Sequence, residues 1–226
     1  MIGIIGAMQM EVDAIKAYMK YAKERTCCGI HFTTGKIDNK EIVLTRSGVG
    51  KVCASMTTAI LLEQFEITTI INVGTAGGLL KEQKVLDVVI AQKCIQHDYD
   101  TSILDGEAGK GVQSVCDEQL LALCKQIFVG ETPTIWYGDI ASGDQFIAKQ
   151  NKLEQIKKTF PSVIACEMEA AAICFVCNQY RVPAILIRSL SDNVYHPHSD
   201  FDFQSYAVDA SRQSAKFCVE LIVHLQ

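Results

Sequence analysis

The feature that most constrains the fold is an alternation of short apolar runs with longer segments of helical character. The runs at 2–7, 68–74 and 182–192 are largely apolar, as strands buried on both faces are, and each meets a turn that contains glycine or serine. By contrast, the segment 10–22 repeats apolar residues at helical spacing, and 203–225 predicts a long helix. Buried strands that alternate with helices predict an α/β protein, in which ligands gather at the strand ends.

The remaining segments continue this pattern without an internal repeat or a low-complexity linker. The prediction adds a hairpin at 31–50 with its turn at 38–40, strands within 84–98 and 134–144, and helices at 51–65, 114–128, 152–160 and 167–180. A length of 226 residues suits one α/β domain, so residues 1–226 are predicted to form a single domain.

The composition excludes several classes of protein. Hydrophobic residues make up 49% and charged residues 21% of the chain, which supports a sizeable core and argues against disorder. The net charge is −5 and Lys and Arg form no cluster, so nucleic acid is not an expected partner. No apolar run approaches the roughly 20 residues that span a bilayer, and the first residues do not resemble a signal peptide. We therefore expect a cytoplasmic protein without a membrane partner.

The ten cysteines are expected to be free thiols, because a reducing cytosol does not favour disulfides. Cys174 and Cys177 form a C-x-x-C pair, but the pair lies in an apolar helical segment and has no second ligand pair in the sequence. That context favours a place in the core. The sequence therefore predicts neither a metal site nor a cofactor.

Acidic residues occur at positions that the pattern alone does not explain. Glu167 and Glu169 precede an apolar helical segment, and a buried carboxylate is costly unless a specific group receives it. Residues two apart on a helix do not share a face, so the pair is not expected to enter one small site in the same way. One of the two would then bond to backbone or to a partner across the sheet. Glu11, in the first turn of a helix, is by position an ordinary N-terminal acid.

Six segments, taken together and in order, carry a resemblance: GIIGAMQMEVDAI, SGVGKVCA, NVGTAGGL, SGDQFI, CEMEAAAI and IRSLSDN. They are similar to segments of the methylthioadenosine/S-adenosylhomocysteine nucleosidases, which belong to the nucleoside phosphorylase superfamily. The resemblance spans nearly the whole chain. It implies a three-layer α/β/α fold around a central twisted, mixed β-sheet. It also implies hydrolysis of the N-glycosidic bond of a 5′-thioether adenosine, with release of adenine and the thioribose.

The same resemblance implies a role for each matching residue. Asp192 matches the acid that protonates adenine N7, Glu11 the base that activates water, and Glu169 the acceptor of the ribose hydroxyls. The other matching positions are expected to bind substrate. Met168 would pack against the sugar, and Phe146 and Ile147 would contact adenine, while Ser191 would orient the acid and Arg188 would help to hold the water. The thioether pocket would be lined by Met8, Val49 and Phe203, with Thr75, Gly77 and Glu167 elsewhere in the site. Phe201 competes with Phe203 for its position, because the segment 193–204 carries an extra residue.

These residue types suit the reaction on physical grounds. Cleavage of an N-glycosidic bond leaves an oxocarbenium-like sugar and a purine anion. An acid whose pKa lies near the operating pH can protonate the purine, so that it departs as a neutral leaving group. A desolvated strand end could raise the pKa of Asp192 for that purpose. A second carboxylate that activates water completes the pair that glycoside hydrolysis uses. An ionised carboxylate can accept hydrogen bonds from both hydroxyl groups of a neutral diol, and Glu169 suits this role.

Three other functions remain open. A purine nucleoside phosphorylase would bind phosphate through arginine, and related phosphorylases place an Arg shortly before the glycine that matches Gly74, where this chain has Asn72. A nucleoside-binding sensor without turnover would need neither Glu11 nor Asp192. A related hydrolase that acts on aminodeoxyfutalosine would differ in the pocket near Phe203.

The resemblance also implies a homodimer. In that arrangement, the segment 97–109 would lend an apolar residue such as Ile103 or Leu104 to the thioether pocket of the neighbouring subunit. From the sequence alone, a solvated loop explains the same segment equally well.

Overall fold

The computed structural model describes residues 1–193, 195 and 199–225, and the side chains of 199–202 lie outside the description. The described residues form ten strands: β1 (Ile2–Gly6), β2 (Lys20–Cys27), β3 (Ile30–Ile37), β4 (Lys40–Arg46), β5 (Thr69–Gly78), β6 (Val88–Asp100), β7 (Lys110–Val115), β8 (Ile135–Ser142), β9 (Val163–Glu167) and β10 (Ala184–Asn193). They also form seven α-helices: α1 (Gln9–Lys16), α2 (Lys51–Gln64), α3 (Ser102–Asp105), α4 (Glu118–Ile127), α5 (Gln150–Thr159), α6 (Ala170–Tyr180) and α7 (Ser199–His224). No helix among the described residues combines the length and apolarity that crossing a membrane requires.

All ten strands belong to one mixed sheet. The order is β10-β6-β8-β9-β5-β1-β4-β3-β2, and β7 pairs with β6. β1 is parallel to β4 and β5, and β5 is parallel to β10. Because β10 also pairs with β6, the strands β5, β9, β8, β6 and β10 close into a ring. The carboxyl ends of β1, β5 and β10 therefore lie side by side, as expected of a ligand site in an α/β protein.

Helices cover both faces of the sheet. Successive residues of a strand point to opposite faces, and Ile4 and Ile5 of β1 accordingly belong to different core clusters. Ile5 packs in the cluster that contains Leu61 of α2 and Ile173 of α6, whereas Ile4 packs in the cluster that contains Phe217 of α7. The mixed sheet between two layers of helices confirms the predicted α/β/α fold.

Two differences from the predicted elements arise where a strand replaces predicted helix. The helix predicted over 10–22 ends at Lys16, and β2 follows it. β2 is exposed along almost its whole length, so it carries no apolar alternation that would reveal it. The helix predicted from 114 was also wrong at its start, because β7 extends to Val115. Asp117 then caps α4 by accepting two backbone hydrogen bonds.

A third difference changes the interpretation of Glu167 and Glu169. The helix predicted over 167–180 begins at Ala170, and Glu167 is the last residue of β9. Glu169 lies between the two elements as the N-cap residue of α6. The prediction that helix faces separate this pair is therefore wrong, and the two carboxylates differ instead in their hydrogen-bond partners.

Candidate active site

A cavity of about 310 Å³ lies where the carboxyl ends of β1, β5 and β10 meet. Its wall is formed by Ala7, Met8, Glu11, Val49, Thr75, Ala76, Gly77, Gln145, Phe146, Ile147, Cys166, Glu167, Met168, Glu169, Ser191, Asp192 and Phe203. Every site residue predicted from the sequence is in this wall except Arg188. The structure thus brings together residues from seven separate stretches of the chain.

Glu11 is held at the start of α1 by backbone groups. One carboxylate oxygen accepts hydrogen bonds from the N–H groups of Ala7 (2.7 Å) and Met8 (2.9 Å), and the other accepts one from Thr75 (3.0 Å). Only glycine suits position 74, because a Cβ on Gly74 would lie 2.8 Å from Glu11 Oε1. The carboxylate is therefore fixed by two strand ends, β1 and β5, at once.

The surroundings of Glu11 act on its acidity in two directions. Burial raises the pKa of Glu11, because desolvation disfavours the charged form. The three N–H groups and the positive charge of Arg188 favour the carboxylate and limit that rise in pKa. A raised pKa brings the carboxyl group closer to neutral pH, where a general base works best.

Asp192 lies near the end of β10, beside an irregularity in the strand pairing. The register between β10 and β5 shifts between Leu190 and Asp192, so that Ser191 is an extra residue at this point. Such bulges redirect side chains near active sites. The Ser191 hydroxyl donates a 2.8 Å hydrogen bond to Asp192 Oδ1, and both side chains are buried. Gly77 leaves room beside the carboxyl group, since a Cβ there would lie 3.1 Å from Asp192 Oδ2.

Glu169 is buried in the cavity wall, and its environment favours the neutral form. Its Oε1 accepts a 2.8 Å hydrogen bond from the backbone N–H of Gly50, at the start of α2. Burial, followed by repulsion from Glu167, raises the pKa of Glu169 to about 8. The raised pKa favours the protonated form of Glu169, whereas an ionised acceptor is expected from the sequence.

The carboxylate of Glu167 is occupied by protein groups. Its Oε2 accepts hydrogen bonds from the Arg188 guanidinium (2.8 Å) and from the backbone N–H groups of Glu169 (3.0 Å) and Ala170 (2.8 Å). The Ser142 hydroxyl bonds to its Oε1. The side chains of the ion pair are only 4% (Glu167) and 2% (Arg188) exposed. The prediction that one acid of the pair bonds to backbone and across the sheet is confirmed.

Arg188 lies behind the cavity wall. Its guanidinium donates to the backbone carbonyl of Asn72 (3.3 Å), to the Asn72 side-chain oxygen and to Glu167. The Asn72 amide in turn donates to the Ile5 carbonyl (2.8 Å), which fixes its oxygen toward Arg188. The resemblance implies that Arg188 helps to hold the attacking water. In the structure its guanidinium is occupied by these protein partners, so it acts on the cavity through its charge and through Glu167.

Most of the remaining wall is apolar, apart from Thr75 and Gln145. Phe146 and Phe203 meet edge to face, with ring centroids 5.3 Å apart. The same wall includes Met8, Val49, Ile147 and Met168. Phe201, the competing position, lies outside the residues whose side chains are described. An aromatic and aliphatic wall of this kind suits a flat base and an apolar substituent.

Four residues of the wall were missed from the sequence: Ala7, Ala76, Gln145 and Cys166. Each is next to a predicted residue within one of the six segments, so adjacency was the signal that could have found them. Ser142 and Asn72 were also missed as supports of Glu167 and Arg188. Nothing in the sequence links them to those partners, because the contacts form only when distant strands pair.

The charged residues described in the cavity wall are all acidic. Four of its described residues are carboxylic acids and none is Lys or Arg. These acids do not gather as a metal site: in the described part of the chain, the side chains close enough to share an ion are the thiols of Cys94, Cys116 and Cys174, outside the cavity. The wall therefore suits a neutral polar ligand better than an anion.

Comparison with known proteins agrees with this architecture. The family model of the phosphorylase superfamily matches residues 1–223. A 5'-methylthioadenosine/S-adenosylhomocysteine nucleosidase of Shewanella denitrificans is 40% identical, over 99% of this chain and 99% of its own. The nucleosidase of S. pneumoniae, solved with a transition-state inhibitor, has a TM-score of 0.94 at 32% identity and covers 100% of this chain and 99% of that one. The futalosine hydrolase of Helicobacter pylori has a TM-score of 0.92 at 31% identity, covering 99% and 97%.

Fold, cavity and family match together define the class of the protein: the chain belongs to the phosphorylase superfamily. Within that superfamily, it belongs to the family of the 5'-methylthioadenosine/S-adenosylhomocysteine nucleosidases. The resemblance carried by the six sequence segments is thereby confirmed.

Proposed function

We propose that the protein hydrolyses the N-glycosidic bond of 5'-methylthioadenosine and S-adenosylhomocysteine, and releases adenine and the thioribose. The observation that carries this proposal is the pair of buried carboxyl groups, Glu11 and Asp192, in the wall of a cavity whose described residues include no cation. An acid and a base of this type are what hydrolysis of a glycosidic bond needs. The names of the relatives support the substrate class.

Asp192 acts as the general acid. Its proton passes to adenine N7 while the bond between the base and the anomeric carbon breaks, so that adenine leaves as a neutral molecule. The 2.8 Å hydrogen bond from Ser191 supports this role, because it fixes the orientation of the carboxyl group in the strand bulge. Proton transfer of this kind requires a donor that is already positioned.

Glu11 acts as the general base. It takes a proton from a water molecule whose oxygen bonds to the anomeric carbon, so that one proton is lost from Asp192 and one is gained by Glu11 in each turnover. Three backbone N–H groups hold the carboxylate in place, and burial raises its pKa toward the operating pH. The nearby positive charge of Arg188 opposes that rise in pKa and favours the carboxylate form.

The remaining wall binds the substrate. Glu169 accepts the ribose hydroxyls, with Met168 against the sugar. Phe146 stacks on adenine, and the backbone of Ile147 contacts the edge of the base. Met8, Val49 and Phe203 surround the 5′ thioether. This division is supported by the presence of both carboxyl groups and apolar side chains in the wall.

Water, not phosphate, is the nucleophile in this proposal. Related phosphorylases carry an Arg where this chain has Asn72, and the Asn72 side chain bonds to Ile5 and Arg188. The guanidinium of Arg188 is itself paired with Glu167. A phosphate dianion would therefore enter a wall of carboxyl groups without a free bidentate cation to receive it.

A second candidate is hydrolysis of a futalosine-type nucleoside, which the similarity to the Helicobacter pylori futalosine hydrolase favours. The two reactions share the acid and the base, so they differ only at the end of the cavity that receives the 5′ substituent. Met8, Val49 and Phe203 give that end an apolar lining, which suits a thioether.

Base release from separate substrates tests the proposal. The protein is incubated with methylthioadenosine, S-adenosylhomocysteine or aminodeoxyfutalosine, and free adenine is measured by chromatography. We expect kcat/KM to be at least about tenfold higher for the two thioethers, because pocket contacts to one substituent discriminate to that degree. Binding of methylthioadenosine without release of adenine would mean a sensor and would overturn the proposal.

We further propose that the protein is a cytoplasmic homodimer. Ile103 and Leu104 in α3 are 99% and 82% exposed, and adjacent apolar side chains of this size mark a contact surface. The strand that leads to α3 is tied to the cavity loop, because Asp98 accepts hydrogen bonds from Lys51 and from the backbone of Asp144. A partner bound there would lie near the thioether end of the site. The ten free thiols suit a reducing compartment.

A further inference from the structure

We propose that Cys94, Cys116 and Cys174 form a second binding site, which takes a trivalent thiophilic ion such as arsenic(III). Their three sulfur atoms all lie within 4.8 Å of one another. None of the three residues lines the active-site cavity, so this site is independent of the proposed hydrolysis. No metal site is expected from the sequence, because the C-x-x-C pair of Cys174 and Cys177 has no second ligand pair there; Cys94 and Cys116 come from distant parts of the chain.

Strand pairing brings the first two thiols together. Cys94 of β6 stands opposite Ser114 of β7 in the antiparallel register. Cys116 follows two residues later, and its backbone N–H donates to the carbonyl of Gln92 in β6 (3.1 Å). The β7 end is thereby fixed along β6, which sets the distance between the two side chains.

The third thiol comes from α6 and is fixed by its neighbour on the helix. Cys174 and Asn178 are four residues apart and so lie on the same helix face. The Asn178 side chain exchanges two hydrogen bonds with the backbone of Val115, at 3.2 and 3.1 Å. The Cys174 thiol also approaches the Val115 carbonyl, at 3.5 Å. These contacts hold α6 against the end of β7 and keep Cys174 beside the other two thiols.

The spacing of the sulfur atoms suits a single ion. With bonds of about 2.3 Å, three sulfurs bound to one ion lie about 3.5–4.0 Å apart. The observed separations are all within 4.8 Å, so each needs to shorten by no more than about 1.3 Å, which rotation of the cysteine side chains can supply. Thiolates select soft ions over hard ones such as magnesium and calcium. Because no His, Asp or Glu of the described chain joins the group, coordination by three sulfurs is the form to expect.

Burial decides which soft ion fits. Cys94 and Cys174 have no exposed surface and Cys116 has 3%, and an uncompensated charge in such a place is costly. Three thiolates would leave two negative charges with copper(I) and one with zinc(II), but none with arsenic(III). Arsenous acid exchanges its three hydroxyl groups for three thiols: three As–O and three S–H bonds break, three As–S bonds form, and three water molecules leave. No electrons change hands in that exchange.

A surface groove gives the ion access. The groove has a volume of about 560 Å³, and Cys116 lies in its wall together with Val115, Asp117 and Asn178. Cys116 is therefore the first thiol that a solute in the groove meets, and the other two lie behind it. A bound ion would link β6, the end of β7 and α6 to one another.

The test needs a background without the exposed cysteine pair. The sulfur atoms of Cys27 and Cys28 lie 3.7 Å apart near the surface, so this pair can capture arsenic(III) through two thiols. The full-length Cys27→Ser, Cys28→Ser variant removes that competing site. Native mass spectrometry with arsenite then distinguishes the products: three thiols give a gain of one arsenic and a loss of three hydrogens, whereas two thiols leave a hydroxyl on arsenic and lose only two.

We expect the background protein to bind one arsenic with loss of three hydrogens. In the same background, Cys116→Ser and Cys174→Ser should each lose that product, and Cys124→Ser, which changes a buried cysteine outside the group, should keep it. A circular dichroism spectrum and a cooperative thermal transition, recorded before arsenite is added, show that each variant is folded. Absence of the three-thiol product in the folded background protein overturns the proposal without any further variant. Its retention in folded Cys116→Ser would overturn it as well.

Discussion

At the scale of single residues, the proposed chemistry depends on two carboxyl groups with different supports. Glu11 is held by three backbone N–H groups, and Asp192 by the hydroxyl of Ser191 in a strand bulge. An amide at either position keeps the shape of the side chain and can still form part of these hydrogen bonds. Amide variants should therefore change the chemistry more than the fold.

Asp192→Asn is expected to lower kcat by about 10²–10⁴-fold, the usual contribution of general acid catalysis, with a much smaller change in KM. Glu11→Gln should abolish turnover through loss of water activation. A substrate whose leaving group needs no proton tells the two apart. It should restore much of the rate of Asp192→Asn and leave Glu11→Gln inactive. An equal response of both variants would mean that the acid and the base are assigned wrongly.

Glu169 predicts a pH dependence of sugar binding. Its pKa is raised to about 8, so the carboxyl group is mostly protonated below that pH and becomes an acceptor of hydroxyl protons as the pH rises through it. KM for methylthioadenosine should therefore fall between about pH 7 and pH 9, and Glu169→Gln should remove this trend. A substrate without 2′ and 3′ hydroxyls serves as the control and should be hurt less by the mutation. Equal losses on both substrates would point to a different acceptor.

At the scale of elements, the ion pair of Glu167 and Arg188 joins β9 to β10. Both side chains are almost fully buried, so Glu167→Gln leaves a buried cation without its partner and should cost about 3–5 kcal/mol of unfolding free energy. The exposed pair of Lys16 and Glu24 is the matched control, and Glu24→Gln should have no measurable effect. Denaturant unfolding compares them. Similar small losses in both variants would contradict a structural role for the buried pair.

The elements that could be predicted are those whose buried residues form a clear apolar pattern in the sequence. β1 and β5 are buried along almost their whole length and appear as continuous apolar runs. β2 is exposed and carries no such signal, and β9 is five residues long and runs almost directly into α6. The closure of the sheet through the β10–β5 pair depends on pairing between distant strands, which periodicity does not report.

The site was predictable to the extent that it lies in the turns after strands. Glu11, Asp192 and Glu169 fall in short segments whose residue types suit the reaction, and the resemblance selects them. The place of Arg188 was not predictable, because it depends on an Asn72 side chain that is 116 residues away in sequence. The raised pKa of Glu169 likewise depends on its burial and on how close Glu167 lies in the folded chain.

At the scale of the whole molecule, the exposed apolar side chains of α3 predict self-association. Leu104→Asp places a charge on a side chain that is 82% exposed, and it should weaken a homodimer if that surface is the contact. Val129→Asp, also at an exposed apolar residue but after α4, is the control and should leave association unchanged. Sedimentation equilibrium measures both. A wild-type protein that stays monomeric at micromolar concentrations would rule out the proposed dimer.

The central claim is that water, and not phosphate, attacks the sugar. The most direct measurement identifies the sugar product of methylthioadenosine cleavage in buffers with and without saturating inorganic phosphate. Because the described cavity wall carries four carboxyl groups and no Lys or Arg, we expect free methylthioribose in both buffers and the same rate of adenine release. A methylthioribose 1-phosphate product, or a rate that depends on phosphate, would contradict the account.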